Sequence, residues 1–197
     1  MSRRPNTEAR EKILRTAYEL FLSEGFDAVS MEDIARAAGL KKSNLFHYYP
    51  CKEDLGKAVV EKAARKHAEG MRALFTERER DPLAVVEELF DRGTAGMGDC
   101  SRGCFIGKMG QEIGDGNAAM RRLIRECFME WQEDIASFLD GWKHKGYFRG
   151  DFHPREAAGG ILALYEGGVL VAKVLGDRKP LDHARRAAVT VIVAWKG

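Results

Sequence analysis

The sequence predicts an all-α protein, and three observations predict it. Apolar residues recur at three- and four-residue spacing along most of the chain. The chain has only 5 prolines, so few helix breakers interrupt those stretches. Runs of β-branched residues are few, so no segment competes as a strand.

The elements follow in order. In REKILRTAYELFLSEGF, residues Ile13, Leu14, Ala17, Leu20 and Phe21 line one helical face, and Gly25 ends the helix. The next stretch, Ser30 to Tyr49, is the most informative in the chain. Ser30 is a good N-cap, and Asp33 three residues later completes something close to a capping box. Met31, Ile34, Ala35 and Ala38 keep helical spacing, and Gly39 supplies the left-handed residue that a helix end favours. A second short helix starts at once, carrying Lys41, Lys42, Ser43, Asn44, His47 and Tyr48 around Leu45 and Phe46. A capped helix, a glycine turn and a polar, basic second helix make a helix-turn-helix, whose second helix lies in the major groove of DNA.

Pro50 stops that helix, and a long one begins at Lys52 and extends toward Arg80. Asp81-Pro82 is an N-cap followed by a first-turn proline, opening a helix from Leu83 to Met97. Gly96, Gly98, Asp99 and Gly103 make a loop, Cys104 to Ile113 a short helix, and Gly114 to Gly116 a break. From Asn117 to Trp142 a continuous apolar stripe marks a helix of about seven turns. His153-Pro154 leads into Ala157–Leu175, and Pro180-Leu181-Asp182 into a last helix through Trp195.

Composition bounds the function. With 45% hydrophobic and 31% charged residues, the chain is that of a globular domain of ordinary composition. Its net charge of +2 disfavours a protein that compacts DNA non-specifically. The charge is uneven, since residues 1–66 hold 13 Lys/Arg against 10 Asp/Glu. The segment Ser2-Arg3-Arg4-Pro5-Asn6 is a basic arm suited to phosphates or a minor groove. No apolar leader opens the chain, and Ala157 to Val174 carries Glu166, Lys173 and four glycines, so it is expected to be a buried helix and not a membrane span. The expected location is the cytoplasm, with four free thiols. No His/Cys spacing suits a metal, and no cofactor or catalytic residue is expected; an enzyme using Cys104 with His144 or His153 is the alternative of another class.

Residues Thr7 to Val60 closely resemble the DNA-binding domain of TetR-type transcriptional regulators. The resemblance rests on the Ile-Leu and Leu-Phe pairs of the first helix, Gly-Phe, Ser-Met-Glu-Asp-Ile-Ala-Arg-Ala-Ala-Gly, Leu-Phe-His-Tyr-Tyr and Lys-Glu-Asp-Leu. It implies about nine helices, a DNA-binding domain over residues 1–52 and a regulatory and dimerisation domain over 53–197. It also implies a homodimer that represses from a palindromic double-stranded operator and is released by a small-molecule effector.

Side-chain chemistry assigns roles on the head. Lys41, Lys42 and Lys52 neutralise phosphate, or one of the first two reaches guanine. Ser43 and Asn44 stand where bases are read, and Asn pairs bidentately with adenine. Ser30, His47 and Tyr48 match family positions that contact phosphate, while Phe46 and Tyr49 are expected in the core. Two residues depart from the family pattern: Lys41 stands where Ser or Thr is usual and Cys51 where Ser is usual, so both weaken an N-cap.

In the regulatory part, Cys104-Phe105-Ile106-Gly107-Lys108-Met109 and the Leu-Tyr-Glu-Gly-Gly-Val-Leu-Val-Ala-Lys run ending at Lys173 resemble a branch of the family that responds to electrophiles and oxidants. A thiol in a first helical turn feels the positive dipole end, and Lys108 one turn on would lower its pKa further, with a small packed residue at a helix start as the competing reading of Cys104. Cys100 is either a resolving thiol or, the favoured reading, a plain loop thiol, and Cys127 is a core residue. Met97, Phe105, Met109, Phe128, Trp131 and Tyr165 are candidates to line an effector cavity, with ordinary core packing as the competing reading. Glu166 and Lys173, seven apart on an apolar helix, must be paired, exposed or facing a cavity. A second face of that helix carries Gly160, Ile161, Leu164, Gly168, Ala172 and Leu175, and its small residues suit close approach of a partner subunit.

Overall fold

The computed structural model describes residues 7–76, 79–94, 103–113 and 117–197. The basic arm before Thr7, the glycine loops at 96–98 and 114–116, Met97 and Cys100 lie outside the described residues. Among those described there are nine helices: α1 (Thr7–Glu24), α2 (Met31–Ala37), α3 (Lys42–Tyr48), α4 (Lys52–Phe75), α5 (Pro82–Thr94), α6 (Phe105–Glu112), α7 (Ala118–His144), α8 (Pro154–Leu175) and α9 (Lys179–Ala194). Helix α4 stops at Phe75, short of the expected Arg80. The chain divides into two compact units, Met1–Arg65 with Phe105–Arg125, and Lys66–Cys104 with Glu126–Gly197.

In the first unit, α1 buries Ile13, Leu14, Ala17, Phe21 and Leu22, the stripe its sequence spells. The capping box of α2 forms as its sequence requires. The Asp33 N–H donates to Ser30 Oγ at 3.1 Å, and the Ser30 N–H returns a bond to Asp33 Oδ2 at 3.0 Å. Gly39 takes φ 64° and turns the chain into α3, whose first residue has no side-chain cap at Lys41. Cys51 still caps α4, with its Sγ accepting the Asp54 N–H at 3.4 Å. Helix α6 buries Phe105, Ile106 and Met109, and Phe105 packs on Tyr18 of α1 with ring centroids 4.5 Å apart. The opening turns of α7, capped by Asn117, complete this unit.

The second unit has its own core, in which Leu74, Val85, Phe90, Ile135, Leu139, Phe152, Ile161 and Ile192 are buried. Asp81 caps α5, its Oδ1 accepting the Leu83 N–H at 2.8 Å, as its place before Pro82 predicts. Helices α8 and α9 pack intimately. A Cβ placed on Gly168 would stand 2.8 Å from the Cβ of Ala184 and 3.3 Å from the Cα of Leu181.

That contact corrects the expected partner face of α8. Ile161, Gly168 and Ala172 are buried within the protomer, so the small-residue face is used on the chain's own α9 and core. Only Gly160 and Leu175 of that set are exposed, with Leu164 between. A different stripe faces outward: Gly160, Ala163, Gly167, Leu170, Val171 and Val174 are all exposed, at spacings of three and four. By length and composition α8 could cross a membrane, yet 33% of its most apolar window is buried, so the expected buried helix is buried on one side.

Candidate DNA-binding surface and sensing cluster

Leu45 of α3 is fully buried and Tyr49 behind it nearly so, with the Tyr49 hydroxyl accepting from Arg10 Nε at 3.2 Å. These anchors fix the rotation of α3. Lys41, Lys42, Ser43, Asn44 and His47 therefore stand exposed, and Tyr48 is half-buried. Phe46, expected in the core, is instead on this surface at 37% exposure, with Lys42 Nζ 5.8 Å from its ring centroid. Helical spacing explains the misplacement, because Leu45 already fills the inward position and its neighbour must point away. Lys42 is paired with Glu32 and Arg36 with Asp33 across the exposed side.

Two other expected phosphate contacts have structural partners. Lys52 Nζ donates to the carbonyl of Phe26 at 2.8 Å and to that of Asp27 at 3.3 Å, and it sits 4.6 Å from the Phe26 ring centroid. Its ammonium therefore braces the α1–α2 connector, where a phosphate contact was expected of it. Ser30 Oγ donates to Asp33 Oδ2 at 2.5 Å, so the hydroxyl serves the cap. The Ser30 hydrogen bonds and the Arg36 guanidinium hold the Asp33 carboxyl below the usual carboxylate range.

The expected effector residues separate between the units. Phe105, Lys108 and Met109 belong to the first. There Lys108 Nζ donates to the Leu22 carbonyl at 2.8 Å and pairs with Glu112 at 3.7 Å, so its charge is committed within the head. Cys104 belongs to the second unit and immediately precedes α6, one residue earlier than the helical turn expected for it. Its thiol bonds the carboxyl of Glu166. Burial pushes the Glu166 carboxyl up, and the bond from Cys104 only partly offsets that. Glu166 Oε1 has no hydrogen-bond partner.

Lys173 is close by. Gly103 takes φ 71°, and a Cβ there would stand 3.0 Å from Lys173 Cδ and 3.7 Å from Nζ. The left-handed φ of Gly103 suits glycine, and the absent side chain leaves the lysine stem room over the residue before Cys104. Tyr165 is buried at the same place, its ring 5.6 Å from that of Phe90, and burial pushes its hydroxyl well up, with the Cys104 thiol and the Glu166 carboxyl adding to it. Cys104, Tyr165, Glu166 and Lys173 thus lie near one another, and of these only Glu166 and Lys173 were expected on one helical face. Phe128 and Trp131 pack together with centroids 5.1 Å apart, and His67, which sequence reasoning passed over, stacks on Trp131 at 4.0 Å. Burial drives the His67 pKa down to about 4. A histidine on an amphipathic helix gives no sequence signal of such a partner. His144 and His153, the histidines of the alternative enzymatic pairing, are exposed, and His144 Nδ1 lies 2.8 Å from the Asp140 carbonyl.

The other described thiols are placed differently. Cys127 is buried in the α7 stripe, and burial pushes its thiol up. At Cys51 the Asp54 N–H favours the thiolate, but burial and the neighbouring carboxylates outweigh it and the thiol is also pushed up.

Residues 13–59 match the family model of bacterial regulatory proteins of the tetR family, and residues 82–188 match the tetracyclin repressor-like C-terminal domain. The chain is 27% identical over 181 residues to the transcriptional regulator AcuR of Cereibacter sphaeroides, covering 90% of this chain and 82% of that protein. It is 23% identical over 187 residues to the HTH-type transcriptional repressor NemR of Escherichia coli, covering 93% and 94%. A crystal structure of a regulatory protein TetR from Rhodobacter sphaeroides superposes with a TM-score of 0.85 at 26% identity, over 92% of this chain and 97% of that one.

Proposed function

Since the chain belongs to the TetR family of transcriptional regulators, we propose that it represses from a palindromic double-stranded DNA operator as a cytoplasmic homodimer and is released by a small-molecule effector. The observation that carries the reading is the outer face of α3. Leu45 and Tyr49 lock the helix from behind, and Lys41, Lys42, Ser43, Asn44 and His47 stand together in front. Residues 1–52 form the DNA-binding part and 53–197 the regulatory part. Asn44 reads adenine, Ser43 and one of the two lysines read neighbouring edges, and exposed Phe46 suits a thymine methyl. His47, Tyr48 and the remaining lysine hold phosphate.

The dimer forms through the outward stripe of α8, small at Gly160, Ala163 and Gly167 and apolar at Leu170, Val171 and Val174, with exposed Val193 contributed by α9. One recognition helix reads too few base pairs for useful discrimination, and two-fold symmetry doubles the site. The effector acts on the group of Cys104, Tyr165, Glu166 and Lys173, and an electrophile or oxidant is the chemical class that a thiol beside an amine accepts. Selection of bound duplexes from random DNA tests the first step. An inverted repeat with half-sites about one helical turn apart is expected, and recovery of no preferred sequence overturns the reading.

A further inference from the structure

Two carboxylates stand in the first turn of α2, and its capping box uses one of them. Asp33 accepts the Ser30 N–H at 3.0 Å, and the box needs nothing from Glu32. Met31, Ile34 and Ala35 are buried, so Glu32 and Arg36, four apart, face outward. The turn into α3 is fixed by Gly39, φ 64°, and by the Leu40 N–H, which bonds the Ala35 carbonyl at 2.9 Å. Two residues later Lys42 opens α3, and its ammonium pairs with the Glu32 carboxylate across the turn. Both side chains are exposed, at 58% and 60%.

Stability does not account for that pair. An ion pair so exposed contributes little, and Asp33 already places a negative charge at the positive end of the α2 dipole. On DNA a carboxylate beside the front of a recognition helix is a handicap, since it meets the phosphate charge of every sequence. The handicap becomes selectivity where a base offers a donor. In the major groove guanine and thymine show a carboxylate only acceptors, adenine sets an acceptor beside its amino group, and cytosine shows the amino group alone. The guanine paired with that cytosine shows the two acceptors that a lysine takes. A G·C pair thus carries acceptors and a donor side by side, as Lys42 and Glu32 carry an ammonium and a carboxylate side by side.

We propose that Glu32 and Lys42 read one G·C pair together in each half-site, the Glu32 carboxylate accepting from the cytosine amino group and the Lys42 ammonium donating to the guanine. Glu32 is a specificity-determining residue, because it rejects guanine and thymine at the cytosine position. The inference rests on the DNA-binding reading and deepens it, making Lys42 the base-reading lysine and leaving Lys41 to phosphate.

Selection of bound duplexes from random DNA is run with the full-length native protein, Glu32→Ala, Glu32→Gln and Lys42→Met. The native protein is expected to require one G·C pair per half-site, with binding about tenfold weaker when that pair is exchanged, inside the usual range for one base pair. Glu32→Ala and Lys42→Met should both relax that same pair, to less than about threefold, and leave the preferences elsewhere intact. Glu32→Gln, with a donor beside its acceptor, should move the preferred base from cytosine toward adenine. A merely structural role for Glu32 would move no single base. A native preference without a G·C pair overturns the proposal and leaves the DNA-binding reading standing. So does a Glu32→Ala protein that keeps the native preference or binds all duplexes more tightly by one factor. A native protein that selects no sequence overturns both. Should a variant fail to fold, the native protein decides alone. N4-methylcytosine, placed at each cytosine of the half-site in turn, puts a methyl where the major-groove amino hydrogen stood. At one of them it should weaken binding about tenfold, and unchanged affinity at all of them overturns the proposal.

Discussion

Gly168 and Ala184 meet so closely that one added methyl has no room: a Cβ on Gly168 would lie 2.8 Å from that of Ala184. The contact joins α8 to α9 inside one protomer, and backbone of Leu181 stands behind it at 3.3 Å. Gly168→Ala is therefore expected to cost about 1–3 kcal/mol by overpacking. For a chain of this size that lowers the melting temperature by roughly 2–4 °C per kcal/mol. A thermal melt at or above the native value would show that the helices have slack.

The outward stripe of α8 should behave in the opposite way. Val174 is 74% exposed and Leu170 45%, so charges there cost the isolated protomer little. Leu170→Glu with Val174→Glu should leave the circular dichroism and the protomer fold intact while sedimentation shifts from dimer to monomer. Operator affinity should fall with it. A double variant that sediments as the native protein does would place the interface elsewhere.

Asn44 and Lys52 make a contrasting pair. Asn44→Ala should cost about 1–3 kcal/mol of operator binding and relax the preference at one base pair per half-site. Lys52→Met removes a cation that already has two carbonyl partners. It should lower the melting temperature, since a charged donor to a shielded carbonyl contributes about 1.5–3 kcal/mol. It should leave the slope of operator binding against salt nearly unchanged. A slope reduced by about one unit would mean that Lys52 meets phosphate after all.

These two residues also show where the sequence is legible. The capping box of Ser30 and Asp33 and the turn at Gly39 are local, three residues or one residue long, and they form as their chemistry dictates. The exposed polar face of α3 follows from one inward Leu45. Lys52 was misread because its partners are carbonyls 25 and 26 residues away, and a lysine opening a helix looks the same whether solvated or held. Lys108 was misread for the same reason, across 86 residues. Helix α8 is apolar on two faces, so its register could not say which one stays inside. The Phe46 error is of another kind, since two adjacent apolar residues on a short helix cannot both point inward and the sequence does not choose.

His67 predicts a pH dependence. Its folded pKa of about 4 lies below the ordinary 6.5 because burial beside Trp131 disfavours the charged ring. The unfolded chain therefore binds more protons between those values, and stability falls as pH drops through that window. The full difference is about 3 kcal/mol at most. His67→Gln should flatten the stability curve between pH 6.5 and pH 4 relative to the native protein, read by denaturant unfolding at each pH. Parallel curves for the two proteins would mean that the ring is solvated in solution.

Reactivity at Cys104 separates two kinds of effector. The thiols of Cys51 and Cys127 are both pushed up, the latter by burial, which disfavours their thiolates. Cys104 is half-buried, bonds a Glu166 carboxyl that burial shifts toward its neutral form, and has the Lys173 stem lying over Gly103. With the other two described thiols pushed up, Cys104 should be the first of the described thiols to take a maleimide, read by mass spectrometry. Lys173→Met should leave that alkylation rate nearly unchanged. If an oxidised Cys104 sulfur is captured by the Lys173 amine, the same variant should lose release from operator by hypochlorous acid while keeping release by the maleimide. Native release by oxidant in Cys104→Ser would sink the thiol as sensor, and a reversible apolar effector would then be the better account.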